Sequence, residues 1–204
     1  MKKLIVIIVG SLMACSMLVA QSTKSDVTDA NSVLLVSEAC YEHLFLKQNE
    51  GLESSWAIAA PCIGFDYYAQ NNVYVGASLG ASFGTIKYDF AKLGSTYTNI
   101  YDMRLPLRAG LSLLNRNLKL ETGPFVNFTL GGETSYYIGK DESTTKFKDM
   151  DLDRLSLGWS VSLKMFELLK IGYSFMLTDS PYGEGGEAGF LTIGLSYAIP
   201  VGNR

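Results

Sequence analysis

The chain has 204 residues and a mass of 22.3 kDa, with 48% hydrophobic and only 18% charged residues, against roughly 25% charged in an average soluble domain. That length sets one domain as the expectation, and that composition excludes a disordered chain. A formal charge of −3 and a pI of 5.2 offer no basic field to a polyanion, so nucleic acid is excluded as a partner. Twenty Gly, twelve Tyr and ten Phe favour an all-β chain, since Gly costs about 1 kcal/mol per helical site.

The N-terminus carries Lys2-Lys3, an apolar run from Leu4 to Val19, then Ala20 and the polar residues Gln21 to Asp26. This is the pattern of a secretory signal peptide over residues 1–20, cleaved after Ala20. A rival lies inside it, because Leu12-Met13-Ala14-Cys15 offers a lipobox that would leave Cys15 acylated; the apolar residues after Cys15 fit that reading less well. The run is shorter than the roughly 18 to 20 residues of a spanning helix. Residues 21–31 read as a flexible segment and 32–201 as the folded domain.

The first two strands, Val33 to Leu46 and Trp56 to Ala69, show mixed faces. They hold Cys40 and Cys62, in a compartment where disulfides persist. If their hairpin turns about Gly51, residues whose numbers sum to 102 face each other and the two cysteines pair; the alternative is two small buried thiols.

Alternation then becomes regular. In the third strand Val73, Val75, Ala77, Leu79, Ala81 and Phe83 interleave with Tyr74, Gly76, Ser78, Gly80, Ser82 and Gly84. In the fourth, Met103, Leu105, Leu107, Ala109, Leu111 and Leu113 interleave with Asp102, Arg104, Pro106, Arg108, Gly110 and Ser112. A fifth, Leu118 to Leu130, is less clean. The last three have Leu155, Leu157, Trp159, Val161 and Leu163, then Leu169, Ile171, Tyr173, Phe175 and Leu177, then Leu191, Ile193, Leu195, Tyr197 and Ile199 on their apolar faces.

The connections alternate in kind. Short ones fall at Gln70-Asn71-Asn72, Asn115-Arg116 and Phe166-Glu167-Leu168, and longer polar ones at Gln48 to Ser55, Ala91 to Thr98, Gly131 to Asp153 and Asp179 to Glu187. Short and long connections therefore collect at opposite ends, as in outer-membrane barrels. Alternation alone does not say which face meets lipid, and a soluble ligand-binding barrel would show it with the sense reversed. The second face decides, because it is dominated by Gly and Ser where a water-facing sheet carries Lys, Glu and Thr. Small residues suit the crowded interior of an eight-stranded barrel, so the apolar face turns outward. An open sheet is excluded, since each unpaired backbone group in lipid costs several kcal/mol.

By parity the interior holds Glu38, Glu42, Asp66, Asp102 and Glu121 with Arg104, Arg108, Lys119, Lys164 and Lys170. Five acids and five bases in a low-dielectric wall pair or face a large desolvation penalty, so a salt-bridged plug is expected; charges at wet barrel ends are the alternative. Tyr67, Tyr97, Tyr101, Tyr136, Tyr137 and Phe166 near strand ends suit a headgroup girdle, although Tyr is also common in strands.

With the strands placed, Tyr101 to Gly110, Leu120-Glu121-Thr122-Gly123-Pro124-Phe125-Val126 and Gly194-Leu195-Ser196-Tyr197 carry a resemblance. The chain resembles the porin-like family of small outer-membrane β-barrels of Gram-negative bacteria. The resemblance implies an eight-stranded antiparallel up-and-down transmembrane barrel, delivered by the barrel assembly machinery, and supplies no catalytic or ligand residues. One departure is that Tyr197 is followed by Ala198 to Arg204, where the family often ends on an aromatic residue. Pro106 and Pro124 lack ladder N–H groups, so bulges are expected there. If Asn115-Arg116 is the turn, numbers summing to 231 oppose, which sets Pro106 against Phe125.

Catalytic chemistry finds no purchase. His43 is the single histidine, and adjacent Glu42 points to the opposite face of its strand and cannot orient the ring. Asp141-Glu142 and Asp149 to Asp153 read as a solvated acidic run without the Gly and terminal Glu of an EF-hand. Gly183-Glu184-Gly185-Gly186 opens no helix and is no phosphate cradle. The expectation is a monomeric, non-enzymatic outer-membrane barrel without cofactor or metal. Its partners would be outer-membrane lipid and an extracellular ligand at the loops; a narrow passive porin for small solutes is the alternative.

Overall fold

A computed structural model describes residues 31–46, 52–70, 72–89, 94–114, 117–138, 141–146, 154–182, 185–186 and 188–201. The expected signal peptide with Cys15, residues 21–30, the hairpin apex at Gly51, the Asn115-Arg116 turn and Asp149 to Asp153 lie outside them.

The described residues form β1 (Ser32–Leu46), β2 (Leu52–Tyr68), β3 (Val73–Asp89), β4 (Ser95–Leu113), β5 (Leu118–Ile138), β6 (Asp141–Lys146), β7 (Leu155–Met165), β8 (Leu169–Met176) and β9 (Ala188–Val201). All pairings are antiparallel. β1 to β5 pair in sequence, β5 continues to β7, then β8 and β9, and β9 returns to β1. Eight strands therefore close a ring, and β6 lies outside it, paired with β5.

The ring is staggered. From Cys40, hydrogen-bonded partners lead through Ala59, Ser82 and Asp102 to Thr129, and the other way through Gly194, Lys170 and Lys164 to Lys119. Those two positions on β5 are ten residues apart, and that offset over eight strands tilts them by about 40° to the axis. The rim is uneven as a result of strand length. β5 has 21 residues and β8 only 8, so β3 to β6 rise as a wall above the long-connection end. Much of the connection expected over Gly131 to Asp153 is strand, because β5 runs on to Ile138 and β6 folds back on it. In that stretch Tyr136, Tyr137 and Ile138 follow one another among polar residues on both faces, so it shows no apolar alternation to read.

Two departures concern irregularities. The β4–β5 ladder passes from Pro106↔Phe125 to Ala109↔Thr122 at constant register, and Pro124↔Trp159 is likewise in step. The expected bulges at those prolines are therefore absent: one missing N–H interrupts a bond without inserting a residue. Register shifts fall elsewhere: between Leu52 and Ser54 against β3, between Tyr101 and Asp102 against β5, and in β2, where Ala59 and Cys62 bracket Ala60-Pro61 against both neighbours. This last bulge switches the inward set from Ser55, Ala57 and Ala59 to Cys62, Asp66 and Tyr68. That change of phase is why this strand's faces read as mixed.

Large apolar side chains cover the outside of the ring, among them Leu79, Leu105, Leu157, Val161 and Ile193. Inside, Leu34, Val36, Tyr68 and Tyr74 pack at the short-turn end. Leu44, Ile86, Ile100, Phe125, Met176, Tyr182, Ala188 and Phe190 pack at the other. Glycine makes room for the rings: a Cβ at Gly110 would collide with Tyr74 and one at Gly158 with Phe125. Gly158→Val is expected to destabilise the fold by about 1–3 kcal/mol, read as a lower urea midpoint in detergent micelles.

Candidate functional site

The polar layer between these apolar clusters is where the lumen concentrates its chemistry. Even-numbered positions of β1 and β4, together with inward positions of β2, β5, β7 and β8, bring all ten sequence-identified charges inside. Nine are buried, and the Lys170 side chain retains 16% exposure. Glu38 is the hub: it accepts from Lys164 at 2.6 Å, Lys170 at 2.7 Å and Ser196 Oγ at 3.2 Å, with Arg108 at 3.9 Å. Glu121 accepts from Lys164 at 2.8 Å, the Tyr74 hydroxyl at 2.6 Å and Ser162 Oγ at 3.1 Å. Arg108 Nε donates to Asp66 at 2.7 Å. Three acids and three bases thus neutralise one another.

A second group sits beside the first. Arg104 Nη1 donates to Glu42 Oε1 at 2.6 Å and its Nε to Asn127 Oδ1 at 2.9 Å. Its guanidinium lies over the rings of Phe125 and Phe190, at 5.2 and 5.6 Å from their centroids, a geometry that suits a delocalised cation. Lys119 stands apart, 3.4 Å from Glu167 at the turn and 5.9 Å from the Tyr68 ring.

Asp102 has a different kind of partner. It accepts from Thr129 Oγ1 at 2.8 Å and from the Tyr182 hydroxyl at 2.7 Å. Tyr182 comes from the β8–β9 connection and packs edge-on to Phe190. Strand parity gives no position to a connection residue, so sequence reasoning missed it; an isolated aromatic in a Gly-rich connection is the only signal it leaves. Tyr182→Phe would strip one of two donors from a buried carboxylate, with an expected loss of about 1–3 kcal/mol measurable by thermal melting in micelles.

Cys40 and Cys62 are both buried and free. Of the two arrangements left open by the sequence, this is the one with two buried thiols. Cys62 pairs with Glu38 and Cys40 with Ala59, so the register is three residues off the anticipated one before the β2 bulge and two residues off after it. Their sulfurs also diverge, Cys40 Sγ packing over Gly194 of β9 and Cys62 Sγ over Gly80 of β3.

Outside the ring, His43 is exposed and meets Phe45 edge-on at 4.7 Å, while Glu42 faces inward to Arg104. Tyr67 and Phe166 are exposed toward the short-turn end, and Tyr101 toward the other. Tyr97 packs against Tyr137 and beneath the Lys87 ammonium, on the wall. Tyr136 shares a face of β5 with buried Thr134, so it belongs to the wall's inner side. Glu142 accepts from Tyr137 at 3.0 Å. Among the described residues no three His, Cys, Asp or Glu side chains cluster as metal ligands.

No protein-family model matches the chain, and no curated protein matches it. Solved structures of outer-membrane proteins do. Ail, the attachment invasion locus protein of Yersinia pestis, is 11% identical at a TM-score of 0.46, covering 84% of this chain and all of that one. Neisserial surface protein A is 14% identical at a TM-score of 0.44, over 82% and 97% of the two chains. The outer membrane protein OprG from Pseudomonas aeruginosa is 10% identical at a TM-score of 0.42, over 85% and 99%.

Proposed function

We propose that the chain is an integral outer-membrane β-barrel with a side-chain-filled lumen, without catalytic activity, whose role is structural or lies in contacts made at its tall rim. The carrying observation is the inversion of sidedness: a closed ring with Leu, Ile and Val outward and paired charges inward. Hydrocarbon rewards that arrangement and water does not. A detail on the outer face agrees. Trp159 Nε1 donates to Thr122 Oγ1 at 2.8 Å, and Thr122 donates onward to the Ser160 carbonyl at 3.1 Å. An indole N–H facing acyl chains needs such a partner.

On this reading residues 1–20 direct secretion, the assembly machinery inserts the chain, lipid surrounds it as a monomer, and the wall of β3 to β6 stands outside the bilayer to meet an extracellular ligand. The test is electrophoretic mobility of detergent-extracted protein with and without boiling. A closed barrel migrates differently once heated; identical mobility refutes the reading. In a planar bilayer the filled lumen is expected to be silent, and steady single-channel steps would favour a narrow pore.

A further inference from the structure

A cavity of about 60 Å³ lies within the polar layer. Glu38 and Lys170 border it from one ion-pair group and Glu42 and Arg104 from the other, with Ser174 and Thr192 among the hydroxyls of its lining. Three buried polar atoms of these residues have no partner within the protein: Glu42 Oε2, Arg104 Nη2 and Ser174 Oγ. Two of them belong to the Glu42–Arg104 pair, whose other atoms are engaged with each other and with Asn127. A buried carboxylate oxygen or guanidinium N–H left without a partner is strongly unfavourable, so these atoms call for something in the space they border.

We propose that this cavity is a hydration site. A cluster of about two to four water molecules, the number that fits such a volume, bridges Glu42 Oε2, Arg104 Nη2 and Ser174 Oγ and ties the Glu42–Arg104 pair to the Glu38 group. The lining selects water over other ligands. Arg104 and Lys170 oppose a metal ion, Glu38 and Glu42 oppose an anion, and the volume excludes organic solutes. Water alone donates and accepts as the three atoms require. Phe125 lines the cavity, and the apolar clusters holding Phe190 and Tyr182 and holding Tyr68 and Tyr74 lie toward the two ends of the lumen; water held between them by those three atoms exchanges slowly with bulk.

The proposal rests on the closed lumen argued above, and a sign test separates the two. Ser174→Val, made in the full chain and studied in micelles, adds apolar volume while removing one of the three groups. Filling a dry cavity raises the thermal midpoint; displacing bound water lowers it, here by about 2–4 °C. Water-proton relaxation dispersion should detect long-lived internal water in the unmodified protein and less of it in the variant. A raised midpoint, or no long-lived water in the unmodified protein, overturns the proposal. If Ser174→Val does not fold, Thr192→Val removes a hydroxyl at constant volume, with a lowered midpoint expected and an unchanged or raised one overturning it. Failure of the barrel reading shows separately, as a missing heat shift in the unmodified chain.

Discussion

Glu38→Gln is expected to lower stability by about 3–5 kcal/mol, the largest loss from any single lumen substitution. The carboxylate holds Lys164 and Lys170 at 2.6 and 2.7 Å and lies within 3.9 Å of Arg108. An amide of the same shape keeps the packing and removes the negative charge, leaving two lysines without their nearer counter-charge in a space closed to bulk water. Urea unfolding in micelles, followed by the mobility shift, measures the loss. The double variant Glu38→Gln with Lys164→Met should be less harmful than the sum of its parts, because each change removes a partner the other would leave stranded. A loss below about 1 kcal/mol, the scale of exposed ion pairs, would mean that the lumen is wet throughout.

Leu79→Arg probes the opposite face. Leu79 is half-exposed on the outside of β3, midway between Val73 and Phe83. If that surface meets acyl chains, the substitution costs about 2–4 kcal/mol, whereas Leu113→Arg at the short-turn end of β4 costs about 0–1 kcal/mol. In a water-facing sheet both would fall within about 0.5 kcal/mol of the unmodified protein. Equilibrium folding into vesicles therefore reads the solvent of the wall directly, and equal small effects at the two positions would refute the membrane reading.

Strand periodicity made most of the wall legible. Leu79, Leu105, Leu157 and Ile193 point outward in the structure as their alternation requires, and Glu38, Arg108, Glu121 and Lys164 share the inner face because each falls on the opposite parity. Legibility ended where that parity breaks. One inserted residue at Ala60-Pro61 rephases β2, and the same uncertainty of register placed Cys62 opposite Cys40 when its actual neighbour is Glu38. Above the rim β4 and β5 mix polar residues with tyrosines on both faces and lose the apolar alternation, so Ser95 to Thr98 and Glu133 to Ile138 resembled loop. Which acid meets which base was not legible either, since Glu38 and Lys164 come from strands far apart in the chain and converge only across the closed interior. Tyr182 escaped for a simpler reason: it enters the lumen from a connection, where side-chain direction has no period.

The seam of the ring has a consequence for biogenesis. β1 and β9, the first and last of the described strands, hold each other through fourteen residue pairs from Val33↔Val201 to Leu46↔Ala188. Synthesis delivers β1 long before β9, so β1 must wait, with its outer hydrogen-bonding groups satisfied by chaperone or solvent, until β9 arrives. A ribosome stalled before Ala188 would therefore yield no smaller version of the ring, only a sheet with two raw margins that other chains can stitch onto.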